Sequence, residues 1–414
     1  MKRKNEQNIG EAGSAKKMKT VRPFDFSIHP KRKIALRFFY YGWKYDGLVQ
    51  QSTTENTVEK YLIDALIKTR LIENVQECDM TRCGRTDKGV SAFKQVAALV
   101  VRSSKMDDTA FWAPGTSDEL KTTYKYAQED LPYLKMLNGV LPPSIRVTAW
   151  AKVPLSFSAR HACSSRIYKY AMPRARYDVE KIRSAAALLV GTHDYRNFCQ
   201  IDMNQARVTQ SYVREILSIT VDEVRSSTPV SRYDLLELTV VGTGFLWHMI
   251  RFIVGVLHEI GLGNEEPELI TRLLDPSLTP RRPIYSMAVE TPLCLFDCRF
   301  ERDGQPVKWI RATEKVREKN FASLQKEWAE AATRARLLEN MLSELAAEAQ
   351  EDAANEVEEE RLDEDRGLLE FVQDHSLQSD YVPFSERRTC ASLEEKNLKI
   401  AEKLKKAANG GGVL

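Results

Sequence analysis

The run Cys83 to Phe93 (CGRTDKGVSAF) gathers the densest chemistry in this chain of 414 residues. Gly84 and Gly89 permit tight backbone turns, which present Arg85, Asp87 and Lys88 at a loop apex. An aspartate held between two cations is expected to stay ionised, because nearby positive charge favours the carboxylate. The same spacing fits an Asx-turn, in which Asp87 bonds only its own backbone. Structural and catalytic ion pairs look alike at this level. Neither GxxxxGKS/T nor GxGxxG occurs here, so the loop is not a phosphate or dinucleotide cradle.

Two further stretches set polar groups in apolar surroundings. In GTGFLWHMIRFIVGVLHEIG, residues 242–261, helical spacing puts Trp247, Ile250, Val254 and Leu257 on one side. His248, Arg251, Gly255 and His258 share another face. A buried Arg251 requires a carboxylate or phosphate, and no acid stands three or four residues away. Its partner therefore comes from elsewhere in the fold or from a ligand, and Asp87 is the natural candidate. Snorkelling to the surface is the alternative. In FSARHACSSRIYKYAM, residues 157–172, strand alternation puts Arg166, Tyr168 and Tyr170 on one face. An aromatic face flanked by cations can stack an unpaired base while holding its phosphates. Cross-strand aromatic pairs on a half-buried sheet give the same pattern.

Metal chemistry is not expected. Cys78 and Cys83 are five apart and His193 and Cys199 six apart, without the short paired spacing of zinc ligands. Seven cysteines are too sparse for a disulfide scaffold, which points to a reducing compartment. The N-terminal MKRKNEQNIG lacks a signal-peptide core, and Phe245 to Ile260 is too short and too charged to span a bilayer.

The elements that position these groups read as a mixed α+β chain, and the length suggests two or three folded units. Residues 1–33 carry a net charge of +7 and are expected to be a disordered basic arm, with clusters at 2–4 and 16–19 that fit nuclear import. A strand is expected at Ile34 to Tyr41, then a helix capped by Asn56 with Glu59 at N3. Gln95 to Val101, Ile167 to Met172, Arg214 to Val221 and Leu235 to Val241 read as strands. Val179 to Val190 reads as a helix, and Gly242–Thr243–Gly244 is expected to open a longer one. Residues 103–130 look like a polar surface insertion. Beyond Phe300 the net charge is −7: a long exposed helix over 311–350, an acidic run at 344–365 expected to stay extended, and a last helix boxed by Ser392 and Glu395. Such charge asymmetry suggests a polyanionic partner for the basic part.

Cys83 to Phe93 closely resembles the catalytic loop, GRTD-x-GV, of the TruA family of tRNA pseudouridine synthases. Its wording is similar to the eukaryotic branch that acts on the anticodon arm at positions 38 and 39. LNGVLPPSIRV (137–147), FSARHA (157–162), RIYKY (166–170) and GFLWHMIRFIVG (244–255) resemble further family blocks in family order, so the resemblance spans about residues 34–300. It implies two ferredoxin-like α/β halves, 34–153 and 154–300, sharing a mostly antiparallel sheet with the active cleft between them. The helical extension 301–414 and the 103–130 insertion have no bacterial counterpart, and bacterial relatives carry His where Ser91 stands.

The resemblance also implies an isomerase that needs no cofactor and no metal, with tRNA as partner, no membrane, and a possible homodimer. Asp87 matches the catalytic aspartate, Arg85 the arginine that takes the flipped base's place, Tyr168 the tyrosine under the target base, and Arg251 the arginine paired with the aspartate. Lys88, Arg166 and His248 are the further expected substrate contacts. Localisation would be nucleus, cytoplasm or both. The rivals are a catalytically inactive RNA-binding relative, a synthase for other tRNA or small nuclear RNA positions, and a scaffold built on the 311–350 helix.

Overall fold

A computed structural model describes residues 24–201, 210–225, 230–302, 305–355, 362–373 and 381–409. Most of the basic arm, including both clusters proposed for nuclear import, lies outside them. The first part of the chain forms β1 (Lys31–Tyr40), α1 (Val58–Lys68), β2 (Thr81–Arg82), β3 (Ser91–Arg102), β4 (Ala110–Phe111), α2 (Asp118–Thr123), α3 (Tyr133–Asn138) and β5 (Ile145–Lys152). The second forms β6 (Cys163–Pro173), α4 (Val179–Ala187), β7 (Gly191–Asp194), β8 (Val213–Val224), β9 (Leu235–Gly242), α5 (Met249–Gly261), α6 (Leu269–Leu274) and β10 (Leu293–Arg302). The extension adds β11 (Gln305–Pro306), β12 (Ile310–Arg311), α7 (Glu314–Asn355), α8 (Arg366–Val372) and α9 (Leu393–Asn409).

One open sheet runs β12-β5-β1-β3-β10-β6-β9-β8-β7. Its long pairings are antiparallel, and β10 fills the centre, antiparallel to β6 and briefly parallel to β3 through Cys294↔Ser91 and Leu295↔Ala92. The fold is thus α+β with a shared, mostly antiparallel sheet and a helical C-terminal extension, as expected. Inward residues of β1, β3 and β5 close one core with α1 and α3, and those of β6 and β9 close a second with α4 and α5. Tyr168 packs against both cores. The reactive loop bridges them too, with Cys83 in the first and Val90 in the second. Val90 is 1% exposed, and burial on that scale stabilises by about 1.5–3 kcal/mol.

Several local expectations shift. β1 begins at Lys31, so the basic arm ends earlier than residue 33. Arg32 is fully buried between Asp107 and Asp130, and Lys33 pairs with Asp79. The 103–130 insertion is therefore anchored to the sheet by two carboxylates that a polarity reading takes for surface groups. The N-cap of α1 is Thr57, whose hydroxyl accepts from the Lys60 N–H, while the Asn56 amide donates to the Lys44 carbonyl at 2.7 Å. Glu59 is buried against Arg82, and no capping box forms there.

The helix expected from Gly244 begins only at Met249, after a turn in which His248 takes φ +62°. Every residue of α5 is buried, so its two expected faces are both interior. On it, His258 meets the Tyr177 hydroxyl, and burial pushes its imidazole down to about 4, a neutral core group. A Cβ at Gly255 would lie 2.5 Å from the Ser286 carbonyl oxygen, so only glycine lets the segment before β10 lie against α5.

The extension is built into both halves. β12 pairs with β5, and α7 continues to Asn355, through half of the acidic run expected to be extended. Farther on, Asp363 pairs with Arg176 at 2.6 Å and Asp365 with Arg232 at 3.1 Å. Leu369, Val372 and Phe384 belong to the second core. The Ser392–Glu395 capping box forms as expected, with reciprocal bonds of 2.9 and 3.1 Å. No helix among the described residues is long and apolar enough to cross a membrane.

Candidate active site

The loop between β2 and β3 is held at every step. The buried amide of Gln95 brackets Gly84, accepting from its N–H and donating to its carbonyl, both at 3.2 Å. The Leu48 N–H donates to the Thr86 carbonyl, and the Thr86 hydroxyl meets that of Tyr40 at 2.6 Å. Gly89 takes φ +78° and donates to the Tyr45 carbonyl, and a turn closes from the Val90 N–H to the Asp87 carbonyl at 3.2 Å. So many fixed backbone contacts leave Asp87 little freedom to wander.

Asp87 faces the other half of the molecule. Its carboxylate stands 3.5 Å from His248 Nε2, at the turn leading into α5. Burial pushes the Asp87 carboxyl above the ordinary aspartate range. The charges of His248 and Arg251 and the Trp247 indole pull it back down, and Glu290 pushes it further up. Burial likewise pushes the His248 imidazole below its ordinary range, and the facing Asp87 charge pulls it back up. Arg85 and Lys88, expected to flank the carboxylate with charge, instead face outward. Lys88 is largely exposed and reaches Asp46 at 3.6 Å.

Arg251 is buried and paired, as its setting demands, but its partner is Glu290. One guanidinium nitrogen lies 2.9 Å from that carboxylate, and Nε donates to the Ala288 carbonyl at 2.6 Å. The expected direct pair with Asp87 is corrected: Arg251 acts on Asp87 through its charge at longer range. Glu290 in turn packs beneath the loop, where a Cβ at Gly89 would lie 2.5 Å from its Cγ.

Tyr168 and Arg166 share a face of β6, as alternation predicts. The Tyr168 ring meets Phe245 edge-on at 5.1 Å, and its buried hydroxyl is pushed well above the tyrosine range. Tyr170, on the same face, is sunk in the second core with its hydroxyl on the Val289 carbonyl. Arg166 donates to the carbonyls of Cys83, Arg160 and Thr243 at 3.0, 2.9 and 2.8 Å. The guanidinium expected to meet substrate is thus a brace between the loop stem and the turn that carries His248.

Three features escaped the sequence. Glu290 gave no signal, because no motif marks the residue that will face Arg251 across the fold. The 286–289 segment behind it is held by Gln373 and Val372 of the extension. Cys83, Cys163 and Cys298 converge although no two are close in the chain. A residue-by-residue search for a buried cation's missing acid would have narrowed the first only to the acids outside α5.

Similarity to known proteins follows the same lines. A family model described as tRNA pseudouridine synthase matches residues 185–301, which include α5 and Glu290. The Caenorhabditis elegans protein named "Probable tRNA pseudouridine synthase tag-124" is 50% identical over 396 residues, covering 95% of this chain and 96% of that one. The tRNA pseudouridine(38/39) synthase of Homo sapiens is 44% identical over 351 residues, 83% of this chain and 70% of that one. The tRNA pseudouridine synthase A of Methanosarcina mazei is 31% identical over 289 residues, 69% and 90%. Half-identity along nearly the whole of both chains makes this protein a member of the tRNA pseudouridine synthases, of the TruA type that its Asp87 loop resembles.

Proposed function

We propose that the chain isomerises uridine to pseudouridine in the anticodon arm of tRNA, at positions 38 and 39, with Asp87 as nucleophile. One observation carries the reading: a rigidly braced Asp87 faces a histidine and a buried arginine from the opposite half, beside Tyr168 at the seam of the two cores. That the human relative is a tRNA pseudouridine(38/39) synthase supports these positions.

The target uridine leaves its stack at a cost of a few kcal/mol, and the exposed Arg85 fills the gap. Asp87, ionised, attacks ribose C1′ or base C6. The N1–C1′ bond breaks, the uracil turns, C5 bonds to C1′, the bond that Asp87 had made breaks to return the free carboxylate, and the C5 proton departs as N1 takes one up. Desolvation makes the carboxylate more basic and more nucleophilic, while His248 and Arg251 keep the anion accessible at neutral pH. Tyr168 remains a phenol, so it stacks under the base and relays a proton as a neutral hydroxyl. Lys88, exposed at the apex, is a phosphate contact.

Incubating the purified protein with unmodified tRNA and mapping the product tests this directly. Pseudouridine at 38 and 39 is expected. No product on any tRNA would favour an inactive RNA-binding relative, and product elsewhere a different substrate.

The acid limb of the rate reports Asp87. The Glu290 charge raises that carboxyl, so Glu290→Gln lowers its pKa and activity should persist to lower pH than in the wild type. A pH–rate profile of single turnover checks the sign, and a limb moved to higher pH would contradict it.

The homodimer has a surface in α7. Phe321, Leu324, Trp328, Ala331, Ala335, Leu338, Leu342 and Leu345 recur at alternating spacings of four and three, and Trp328 is 72% exposed. A parallel pairing sets Arg334 against the partner's Glu339, whereas an antiparallel one opposes two copies of Arg334. Leu338→Glu with Leu342→Glu should convert a dimer to a monomer in sedimentation, leaving the fold intact. Nuclear entry through the basic clusters at 2–4 and 16–19 would sit beside a cytoplasmic pool.

A further inference from the structure

Cys83, Cys163 and Cys298 reach one place from three separate segments: the stem of the reactive loop, the first residue of β6 and the middle of β10. Their sulfurs all lie within 4.8 Å of one another. Metal–sulfur bonds of about 2.3 Å at tetrahedral angles place sulfurs roughly 3.8 Å apart, so small side-chain rotations would let all three share one ion. All seven cysteines are free thiols, and among the described residues only these three cluster in this way.

The surroundings suit a charged sulfur site. The Arg166 guanidinium is fixed 3.0 Å from the Cys83 carbonyl oxygen. A divalent ion with three thiolates carries a net charge of −1, which an adjacent guanidinium offsets. The donor set is wholly soft sulfur, which selects against magnesium and calcium and for thiophilic d10 cations.

We propose that the Cys83–Cys163–Cys298 cage binds a thiophilic d10 cation, of which Zn(II) is the type. The bound ion ties the stem of the Asp87 loop to β6, which carries Tyr168, and to β10 at the sheet's centre. Binding itself stands apart from the catalytic reading, and only its consequence for loop order rests on that reading.

The test uses the full-length protein, reduced and stripped with chelator, and Cd(II) as an ultraviolet probe. A thiolate-to-metal charge-transfer band saturating at one equivalent is expected. It should be lost in Cys163→Ser and in Cys298→Ser and kept in Cys390→Ser, a tail cysteine outside the cluster. In the wild type, Zn(II) at about ten times its Kd should slow alkylation of the three cluster thiols about tenfold, and that of Cys390 not at all. The alkylation readout needs no variant to fold. No band, a band that survives loss of Cys163 and Cys298, unprotected cluster thiols, or a disulfide between two of them in the reduced, stripped protein would each overturn the proposal. None of these readouts depends on pseudouridine formation.

Discussion

Asp87→Ala should lower pseudouridine formation by roughly three orders of magnitude or more, while tRNA affinity changes by less than about threefold. The asymmetry follows from where each property resides. A nucleophilic carboxylate has no stand-in, since Glu290, the other acid in its surroundings, is occupied by Arg251. Affinity for RNA comes largely from phosphates met by many cations, and removing one carboxylate leaves those untouched. Stability should not fall either. Burial raises the Asp87 pKa, so its protonated form is the one the fold favours, and that contribution is present at acid pH and lost as pH rises through the folded-state pKa. At neutral pH the ionised group is a cost, and Asp87→Asn should melt at or above the wild-type temperature. Single-turnover release of the C5 hydrogen, filter binding and thermal unfolding measure the three quantities. Turnover within tenfold of wild type in the alanine variant would remove Asp87 from the chemistry.

Ending the chain after Asn355 should cost both fold and activity. Its acidity and distance from the family blocks make the extension look accessory, yet Leu369, Val372 and Phe384 are all buried in the second core. At about 1.5–3 kcal/mol for each buried side chain, their loss is comparable to the whole stability of a domain. The same segment braces the approach to the active site. The Val372 carbonyl accepts from the Val289 N–H at 3.0 Å, Gln373 donates to the Ser286 carbonyl, and the Arg388 carbonyl accepts from the Ile284 N–H at 2.7 Å. Glu290, the partner of Arg251, follows directly. A truncated chain is expected to be poorly soluble, and Leu369→Ala alone should destabilise by about 2–5 kcal/mol. Denaturant unfolding measures the point variant. A truncated protein with wild-type melting and turnover would show the extension to be dispensable.

The halves differ in how far the chain's order reveals them. The α5 region illustrates the boundary: spacing alone marked a buried arginine in need of an acid, and that need is met. Which acid meets it depends on Gly255 letting the segment before β10 lie against the helix. Arg166 was visible as a cation on an aromatic strand face, but three backbone carbonyls from distant segments decide that it braces the loop. Lys31 to Lys33 read as arm because their carboxylate partners lie far along the chain, beyond the reach of any local window.

Sequence alone determined the α+β class, the loop that presents Asp87, the strand face of Tyr168, the long helix α7 and the capping box of the last helix α9. All of these are written in turns, periods of two or 3.6 residues, and contacts within four positions. Only the tertiary structure decided that His248 faces Asp87, that Glu290 holds Arg251, that three distant thiols meet, and that the acidic tail completes a core. Those pairings arise where β10 enters the centre of the sheet and the extension wraps back, and long-range packing of that kind leaves no periodic trace in the chain that makes it.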